Sequence, residues 1–599
     1  MMTSSPDKKT SEQRLRALRN LMKEQGITAF IQPHDDEFLG EYIPESAERI
    51  AYISNFSGSA GLAVITLEDA CVFSDGRYTE QLKTEIFPNW QGKHIVENPP
   101  QNWLKSLLRT GDKVAYDPRI LTLPSLKKWE KAGLEMVPVE KNLIDEIWTD
   151  RPVPPATEVK THPIEFTGQT SFEKRLALGS FLKSQKEDAF LATDASAIAW
   201  ALNLRASDLE CLPIALGYAL FHQNGEAEFF IDPTRLKGTL EDDKIKLFPA
   251  DKISENLTLL KDKKIRFCPA ETPVFLKSQI EKASAKAIEG ENPLLLPRAI
   301  KNDLEIAGHK KAQRIDGASL VKFLSFVKKN NGADLSEVEL ADKLDNIRLS
   351  APECQALSFG TISAVGKNAA LPHYHAKKDT AAILNKNQMY LVDSGGQYPF
   401  GTTDCTRTIW SGPAEAPKEL KEAFTRVLKG NIALSKARFP SGLPGYRLDT
   451  LARAPLWEGG LDYDHGTGHG VGSYLSVHEG PHSISPAPRP VGIEAGMIIS
   501  NEPGYYEIGH YGIRIENLIL AVKDGIGRNG KNHLKFETLT FVPIDQDLID
   551  PTLLNKEELG WLNQYHAETL KYLSPLLEGD TLEWLKEACT PIKELHTPL

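Results

Sequence analysis

The segment Tyr390-Leu-Val-Asp-Ser-Gly-Gly-Gln-Tyr-Pro-Phe-Gly-Thr-Thr-Asp-Cys-Thr-Arg-Thr-Ile-Trp410 joins two β-prone runs through a connection that contains glycine. Asp393 ends the first run, because the turn-forming Ser-Gly-Gly follows it directly. Asp404 stands eleven residues further on, immediately before the second run. A hairpin-like return of the chain would bring the two carboxylates to one pocket. This segment therefore predicts paired strands that carry two candidate metal ligands.

Three further candidate ligands follow in short segments that glycine interrupts. His469 lies in Gly466-Thr-Gly-His-Gly-Val-Gly472, which matches neither of the common nucleotide-binding glycine patterns. Glu502 stands just before a Pro-Gly turn. Glu516 alternates with isoleucines, and in a strand this alternation places Arg514 and Glu516 on one face.

Together the five residues predict a dinuclear metal site; they are Asp393, Asp404, His469, Glu502 and Glu516. Four carboxylates and one imidazole are enough to bind two divalent ions and a bridging water. Without cations, carboxylates this close would repel one another. Oxygen-rich ligation favours manganese, with zinc or cobalt as alternatives. A water between ions about 3.5–4 Å apart is acidified toward neutrality, so we expect a metal-bridging hydroxide to be the nucleophile.

Composition excludes several classes of function. The chain has 599 residues, of which 41% are hydrophobic and 25% charged, as is usual for a folded globular protein. The net charge of −11, without a long basic run, argues against nucleic acid or an anionic membrane as the partner. The six cysteines form no CxxC pair, no apolar run approaches about 20 residues, and the N-terminus lacks a signal-peptide pattern. We therefore expect a cytoplasmic protein with free thiols and a small-molecule or peptide partner.

The first half of the chain contains two copies of one layout. Each copy has a helix, an apolar strand directly after it, and a later strand that ends near Phe73 in the first copy and Phe230 in the second. This alternation predicts two α/β domains of related topology. Proline clusters at 152–155 and 293–297 interrupt helix and strand alike. A long amphipathic helix follows the second cluster, so the sequence predicts three domains, 1–150, 151–297 and 298–599.

Several segments resemble the pita-bread metallopeptidases, and within them the three-domain, cytosolic-type aminopeptidase P enzymes, also called Xaa-Pro aminopeptidases. The resemblance covers essentially the whole chain. It implies an α/β protein in which two related creatinase-like domains precede an α+β pita-bread catalytic domain. Besides the ligand segments, the similar stretches are Asn55-Phe-Ser-Gly-Ser-Ala-Gly61, Ser74-Asp-Gly-Arg-Tyr78, Ile147-Trp-Thr-Asp-Arg-Pro152, Ala197-Ile-Ala-Trp-Ala-Leu-Asn-Leu204 and Val477-His-Glu-Gly-Pro481.

The resemblance also assigns roles to individual residues. The five candidate ligands match the metal ligands of the family, and His373, His465 and His478 match its catalytic and substrate-binding histidines. Glu502 would both bind metal and relay a proton from the attacking water to the leaving nitrogen. Two arginines are further candidates for substrate binding: Arg514 would orient a carboxylate or a water, and Arg77 would either close the active-site cleft or cap its own strand.

The implied activity is hydrolysis of the bond between the first residue and a proline in second position. That bond is a tertiary amide without an N–H, so a site that depended on this N–H would reject it. Two alternatives remain open: a prolidase that acts on Xaa-Pro dipeptides, and a non-catalytic peptide- or protein-binding member of the same fold. The resemblance further implies a homodimer through the catalytic domain. Apolar residues after Leu553 predict a C-terminal helix that packs on the body of the protein.

Overall fold

The computed structural model describes residues 8–240, 242–528 and 530–593. The chain divides into two compact units. The first contains the chain up to Thr161 with Gln169–Leu209 and Ile214–Leu294, and the second contains His162–Gly168, Glu210–Pro213 and the chain from Leu295 onward. The further division of the first half at residue 150 stays a prediction. Within the described residues, no helix is long and apolar enough to cross a membrane.

A mixed six-stranded sheet organises the N-terminal part of the first unit. Its strands lie in the order Gln91–His94, Ala70–Ser74, Leu62–Thr66, Ala29–Pro33, Lys113–Tyr116 and Glu135–Pro138. The helices of this part are Lys8–Glu24, Arg49–Ser54, Thr79–Thr84, Pro100–Leu107, Leu123–Lys131 and Leu143–Ile147. The predicted first helix buries Leu18 and Met22 in the same core cluster as Phe30 of the adjacent strand. Burial of this apolar stripe fixes the helix on the sheet.

A second six-stranded sheet repeats the first. Its order is Ile245–Phe248, Ala227–Phe230, Tyr218–His222, Ala189–Ala192, Lys264–Phe267 and Lys286–Glu289. The helices of this part are Ser171–Gln185, Ala195–Leu202, Ile253–Thr258 and Val274–Lys282, and a small sheet pairs Leu236–Lys237, Val159–Thr161 and Leu204–Arg205.

The duplication extends to strand direction. In both sheets the first pair is parallel, the next two pairs are antiparallel, and the last two pairs are parallel. Two equivalent helices also end alike, since Asn55 (φ 68°) and Asn203 (φ 50°) follow them in the left-handed conformation that asparagine tolerates. The predicted pair of related α/β folds is therefore confirmed.

The second unit holds the candidate ligands on short sheets surrounded by helices. The helices are Ile164–Thr167, Leu295–Ala299, Asp303–Lys329, Glu337–Leu349, Lys418–Ser435, Asp449–Trp457, Lys556–Leu573 and Gly579–Ala588. One sheet has the order Ile362–Val365, Met389–Ser394, Cys405–Trp410, and the largest has the order Arg438–Pro440, Asn532–Thr538, Asn517–Ile526, Ile498–Asn501, Gly468–Gly470, Glu479–Ile484. Smaller sheets pair Leu335–Ser336 with Ile383–Leu384, Ala356–Leu357 with Gly396–Tyr398 and Gly401–Thr402, and Gly504–Glu507 with Tyr511–Arg514.

The long helix that opens this unit begins at a capping box. The Asn302 side chain accepts hydrogen bonds from the helix N-terminus, and the Glu305 carboxylate accepts one from the Asn302 N–H. Leu320 and Leu324 are buried as the apolar pattern predicts, whereas Leu304 is 51% exposed. Leu304 stands on the first turn, where the helix has not yet reached the core. The predicted C-terminal helix is present and packs on the unit; residues 594–599 of that segment lie outside the described residues.

Candidate metal centre

Asp393 and Asp404 lie together at one end of the predicted strand pair. Met389–Ser394 pairs antiparallel with Cys405–Trp410, and Asp393 stands opposite Thr406. Asp404 directly precedes the second strand, so the connection returns it beside the end of the first. Both aspartates are buried. The antiparallel register therefore places two carboxylates next to each other inside the unit.

His469 is oriented by its own main chain. Its Nδ1 lies 2.9 Å from the carbonyl oxygen of Gly470, so Nδ1 carries the proton and Nε2 presents a lone pair. Nε2 lies 3.5 Å from a carboxylate oxygen of Asp404 and 3.5 Å from one of Glu502. Ser500 connects the two segments, because its hydroxyl accepts from the His469 N–H at 2.9 Å and donates to Glu502 at 3.1 Å. The imidazole thus faces the carboxylates with the atom that binds metals.

Glu516 lies between two strands rather than within one. Tyr511–Arg514 ends before it and Asn517–Ile526 begins after it, so the prediction of one continuous strand is wrong at this point. The predicted faces are nevertheless correct. The Thr406 hydroxyl donates to Glu516 Oε2 at 2.7 Å and accepts from Arg514 Nε at 3.1 Å, so both side chains reach the same threonine.

The carboxylates crowd around a space suited to cations. Ligand atoms of Asp404, His469 and Glu516 lie within 4.8 Å of one another. Asp393 Oδ2 accepts from Arg514 Nη2 at 2.7 Å, whereas its Oδ1 is buried and accepts no hydrogen bond from the described residues. A buried carboxylate oxygen without a donor is costly unless a cation satisfies it. The donor set therefore fits hard divalent ions, which prefer carboxylate oxygen and imidazole nitrogen.

The acidities of these groups reflect the same crowding. Burial, followed by the charges of Glu516, Asp393 and Glu502, raises the pKa of Asp404 well above its usual range. Burial and the Asp393 charge raise the pKa of Glu516 in the same direction. Burial also raises the pKa of Glu502 to about 8, although Arg514 opposes the shift. Bound cations would reverse these shifts, because they stabilise the charged carboxylates.

His465 belongs to a directed hydrogen-bond chain. Its Nδ1 donates to the Gly466 carbonyl at 2.7 Å, so Nε2 accepts from the Tyr506 hydroxyl at 2.8 Å. That hydroxyl in turn accepts from Arg514 Nη1 at 2.8 Å. Burial and the Arg514 charge lower the pKa of His465 to about 3. His465 is therefore a neutral imidazole whose orientation is fixed through Tyr506 by the arginine that also binds Asp393.

The other two predicted histidines lie at the edge of this site. The ring of His478 meets that of His469 edge to face, with ring centroids 4.4 Å apart. His373 follows Pro372, whose carbonyl oxygen lies 3.5 Å from Arg514 Nη2. Both imidazoles are partly exposed. They are thus placed beside the carboxylate cluster and within reach of solvent.

Glu337 holds the loop that carries His373. This buried carboxylate accepts from the Val365 N–H at 2.7 Å, from the Ala382 N–H at 2.8 Å, from Asn368 Nδ2 at 2.9 Å and from the Tyr374 hydroxyl at 2.8 Å. Val365 and Ala382 flank residues 366–381 at their two ends, and Asn368 and Tyr374 lie within them. One side chain therefore holds the loop at four positions.

Arg77 lies in the first unit and is engaged there. Its guanidinium forms two hydrogen bonds with the Asp75 carboxylate, at 2.8 and 2.9 Å. Asp75 also caps the short helix that contains Arg77, as it accepts from the Arg77 N–H at 3.1 Å. The capping side chain is thus Asp75 rather than Arg77, and both roles expected for Arg77, closing the cleft and capping its strand, stay predictions.

Sequence reasoning missed several residues that position the ligands. Thr406 and Ser500 each connect a ligand segment to another part of the site. Tyr506 and Tyr374 hold His465 and the His373 loop through their hydroxyls. The alternation of Thr406 with Asp404 along the chain was an available signal. For Glu337 no local signal exists, because its partners are distant in sequence.

Comparison with known proteins places the site in a family. A model of metallopeptidase family M24 matches residues 307–523, which contain the five candidate ligands. A probable Xaa-Pro aminopeptidase P of Laccaria bicolor is 39% identical over 97% of this chain and 93% of its own length. The chain belongs to metallopeptidase family M24. Models of the creatinase/prolidase N-terminal domain match residues 14–147 and 150–305, and a model of the M24 C-terminal region matches residues 532–592.

Other M24 relatives are similar to this chain over 97% of its length. A probable Xaa-Pro aminopeptidase P of Paracoccidioides brasiliensis is 38% identical over 97% of this chain and 99% of its own. Among solved structures, an X-prolyl aminopeptidase of Caenorhabditis elegans, described as a cytosolic enzyme with a di-nuclear active site, superimposes with a TM-score of 0.91. It is 35% identical to this M24 chain and covers 97% of it and 100% of the C. elegans chain. The expected pita-bread fold with creatinase-like N-terminal domains is therefore confirmed.

Proposed function

We propose that this protein is a metalloaminopeptidase that removes the first residue from peptides with proline in second position. The observation that carries the proposal is the convergence of four carboxylates and the His469 Nε2 atom, which faces them, in the M24 domain. The names of the full-length relatives supply the substrate class, since several are Xaa-Pro aminopeptidases at 38–39% identity.

Two divalent ions would be held by Asp393, Asp404, His469, Glu502 and Glu516. Support comes from Asp393 Oδ1, which accepts no hydrogen bond from the described residues, and from the lone pair of His469 Nε2. Ligand atoms of Asp404, His469 and Glu516 also lie within 4.8 Å of one another. Oxygen-rich ligation favours manganese over zinc or cobalt. When bound, the ions would supply an acidified water and polarise the peptide carbonyl.

The chain's own residues would orient the substrate and move protons. Glu502 accepts the proton of the attacking water and delivers it to the proline nitrogen. A carboxylate can do this while it binds a metal ion, because one oxygen can hold the ion and the other can carry the proton. His478, at the edge of the site, donates a hydrogen bond to the carbonyl oxygen that becomes negative during attack. His373 and His465 contact the proline side of the substrate. Arg514 donates a hydrogen bond to Asp393 and fixes His465 through Tyr506.

Proline specificity has a physical basis in this arrangement. The scissile bond lacks an N–H, so a site lined by imidazoles and tyrosine rings loses no hydrogen bond on binding it. The same site accepts dipeptides in principle, which is the prolidase alternative. We further propose a cytoplasmic homodimer of three-domain chains, with boundaries near residues 150 and 297, that acts on peptides.

A hydrolysis assay tests the proposal. Purified protein loaded with Mn²⁺ is given Arg-Pro-Pro, Arg-Pro and Arg-Ala-Pro, and release of free arginine is measured. We expect cleavage of Arg-Pro-Pro and loss of this activity in Asp404→Asn. His510→Ala is the matched control, because His510 is exposed and outside the proposed ligand set. Activity confined to Arg-Pro would indicate a prolidase, and inactivity toward all three with metal bound would indicate a binding protein.

A further inference from the structure

A buried arginine, Arg407, contacts the main chain of the candidate ligand Glu516. Arg407 is 1% exposed and belongs to the strand that follows Asp404. Within the described parts of the chain, its hydrogen bonds go to neutral acceptors only: the carbonyl oxygens of Thr406, Glu516, Val542 and Pro543, the amide oxygen of Asn517 and the hydroxyl of Tyr565. A buried charge is tolerated only where it is well bonded. Among the described residues, neutral hydrogen-bond acceptors rather than a carboxylate thus hold the Arg407 guanidinium.

Arg407 fixes the main chain of Glu516. Its Nη1 donates to the Glu516 carbonyl oxygen at 2.6 Å. Glu516 lies between two strands and so lacks the regular ladder that holds its neighbours. Its N–H donates to the Thr406 carbonyl at 3.2 Å. The position of this ligand therefore depends on Arg407 and on the backbone beside it.

The C-terminal helix completes the support of Arg407. Tyr565 lies in Lys556–Leu573, is 3% exposed, and accepts from Arg407 Nη2 at 2.8 Å. The same hydroxyl accepts from the Val542 N–H at 3.1 Å, and Val542 O lies 2.9 Å from Arg407 Nη2. A chain of direct contacts thus runs from the last part of the sequence to a candidate metal ligand.

We propose that Tyr565, acting through Arg407, is a positioning residue of the metal centre, and that the C-terminal segment thereby sets the affinity for the metal ion. The inference rests on the proposed metal function of Glu516. Residues that orient metal ligands typically change metal affinity by about 10- to 100-fold when they are altered.

The test is calorimetric titration of Mn²⁺ into the full-length protein after removal of metal with a chelator. Tyr565→Phe keeps the ring and removes the hydroxyl, so we expect affinity to fall about 10-fold. Tyr572→Phe is the matched control, because Tyr572 lies on the same helix and both rings pack against Phe541. We expect the control to bind Mn²⁺ as the wild type does.

A structural role alone would give a different result. If Tyr565→Phe lowers the melting temperature while its Mn²⁺ affinity stays within twofold of the wild type, the proposal is overturned. Arg407→Lys tests the other partner, since it keeps the charge but loses the planar fork. It should weaken Mn²⁺ binding at least as much, and wild-type affinity in this variant would also overturn the proposal. Failure of the wild-type protein to bind Mn²⁺, Zn²⁺ or Co²⁺ would instead refute the metal centre itself.

Discussion

Loss of one hydroxyl should loosen the loop that carries His373. In Tyr374→Phe the hydrogen bond from the tyrosine to Glu337 Oε2, 2.8 Å long, disappears. The carboxylate still accepts from the backbone N–H groups of Val365 and Ala382 and from Asn368, so its charge is not left unpaired. Asn368 Nδ2 also donates to the lost hydroxyl, at 3.0 Å, but it keeps its bonds to Glu337. The cost is therefore dominated by the charge-assisted hydrogen bond to Glu337, about 2 kcal/mol. At about 1.36 kcal/mol for each factor of ten, the loop should open about 30-fold more often.

Hydrogen exchange measures this opening directly. A chain of several domains does not unfold in one step, so a global melting temperature would not isolate the loop. Backbone amides of residues 366–381 should exchange about 30-fold faster in Tyr374→Phe, while amides elsewhere keep their rates. Tyr446→Phe is the control, because its ring is 39% exposed. Protection within threefold of the wild type across residues 366–381 would refute the assignment of Glu337 as the anchor of this loop.

Three further predictions concern the metal centre. Asp404→Asn should lower the metal content of purified protein below two ions per chain, as measured by mass spectrometry of the metals, and two retained ions would contradict its role as a metal ligand. The pKa of Glu502 is raised to about 8 from its usual 4.5. Between pH 4.5 and about 8, Glu502 therefore holds a proton in the folded, metal-free protein that it does not hold in the unfolded chain. The melting temperature of the metal-free protein should therefore fall as pH rises from about 5 to about 8, whereas protein saturated with Mn²⁺ should not follow this trend; equal trends in the two forms would contradict the reasoning. Gly468→Ala should lower both the melting temperature and the metal affinity, because its Cβ would lie 1.9 Å from the Ser500 carbonyl oxygen. Unchanged values of both would show that the strands Gly468–Gly470 and Ile498–Asn501 can move apart without an effect on His469.

Local patterns predicted much of the architecture. The alternation of helices and strands in the first half indicated a duplicated α/β fold, and both sheets have the same strand order and directions. The turn after Asp393 and the β-prone run after Asp404 predicted the strand pair that holds them. These signals succeeded because each depends on neighbours within a few residues.

The supports of the site could not be predicted in this way. Arg407 and Tyr565 are 158 residues apart in the chain, and Glu337 and Ala382 are 45 apart, so no local period connects them. The same limit explains the error at Glu516. Its alternation with isoleucines is typical of a strand, but the Thr406 and Arg407 contacts interrupt the ladder at that residue.

The separation of the ligand segments along the chain has a consequence for metal selection in the cell. Thr406, which follows Asp404 closely, and Glu516 meet across 110 residues, and His469 comes from a third segment between them. No short stretch of a nascent chain holds more than one or two of these donors, so the unfolded polypeptide has little power to capture an ion. The ion is therefore chosen after folding, by a cage whose size and donors are already fixed. Copper and zinc, which bind flexible peptides tightly, therefore gain no advantage while the chain is unfolded. The folded site selects among the ions that its compartment supplies.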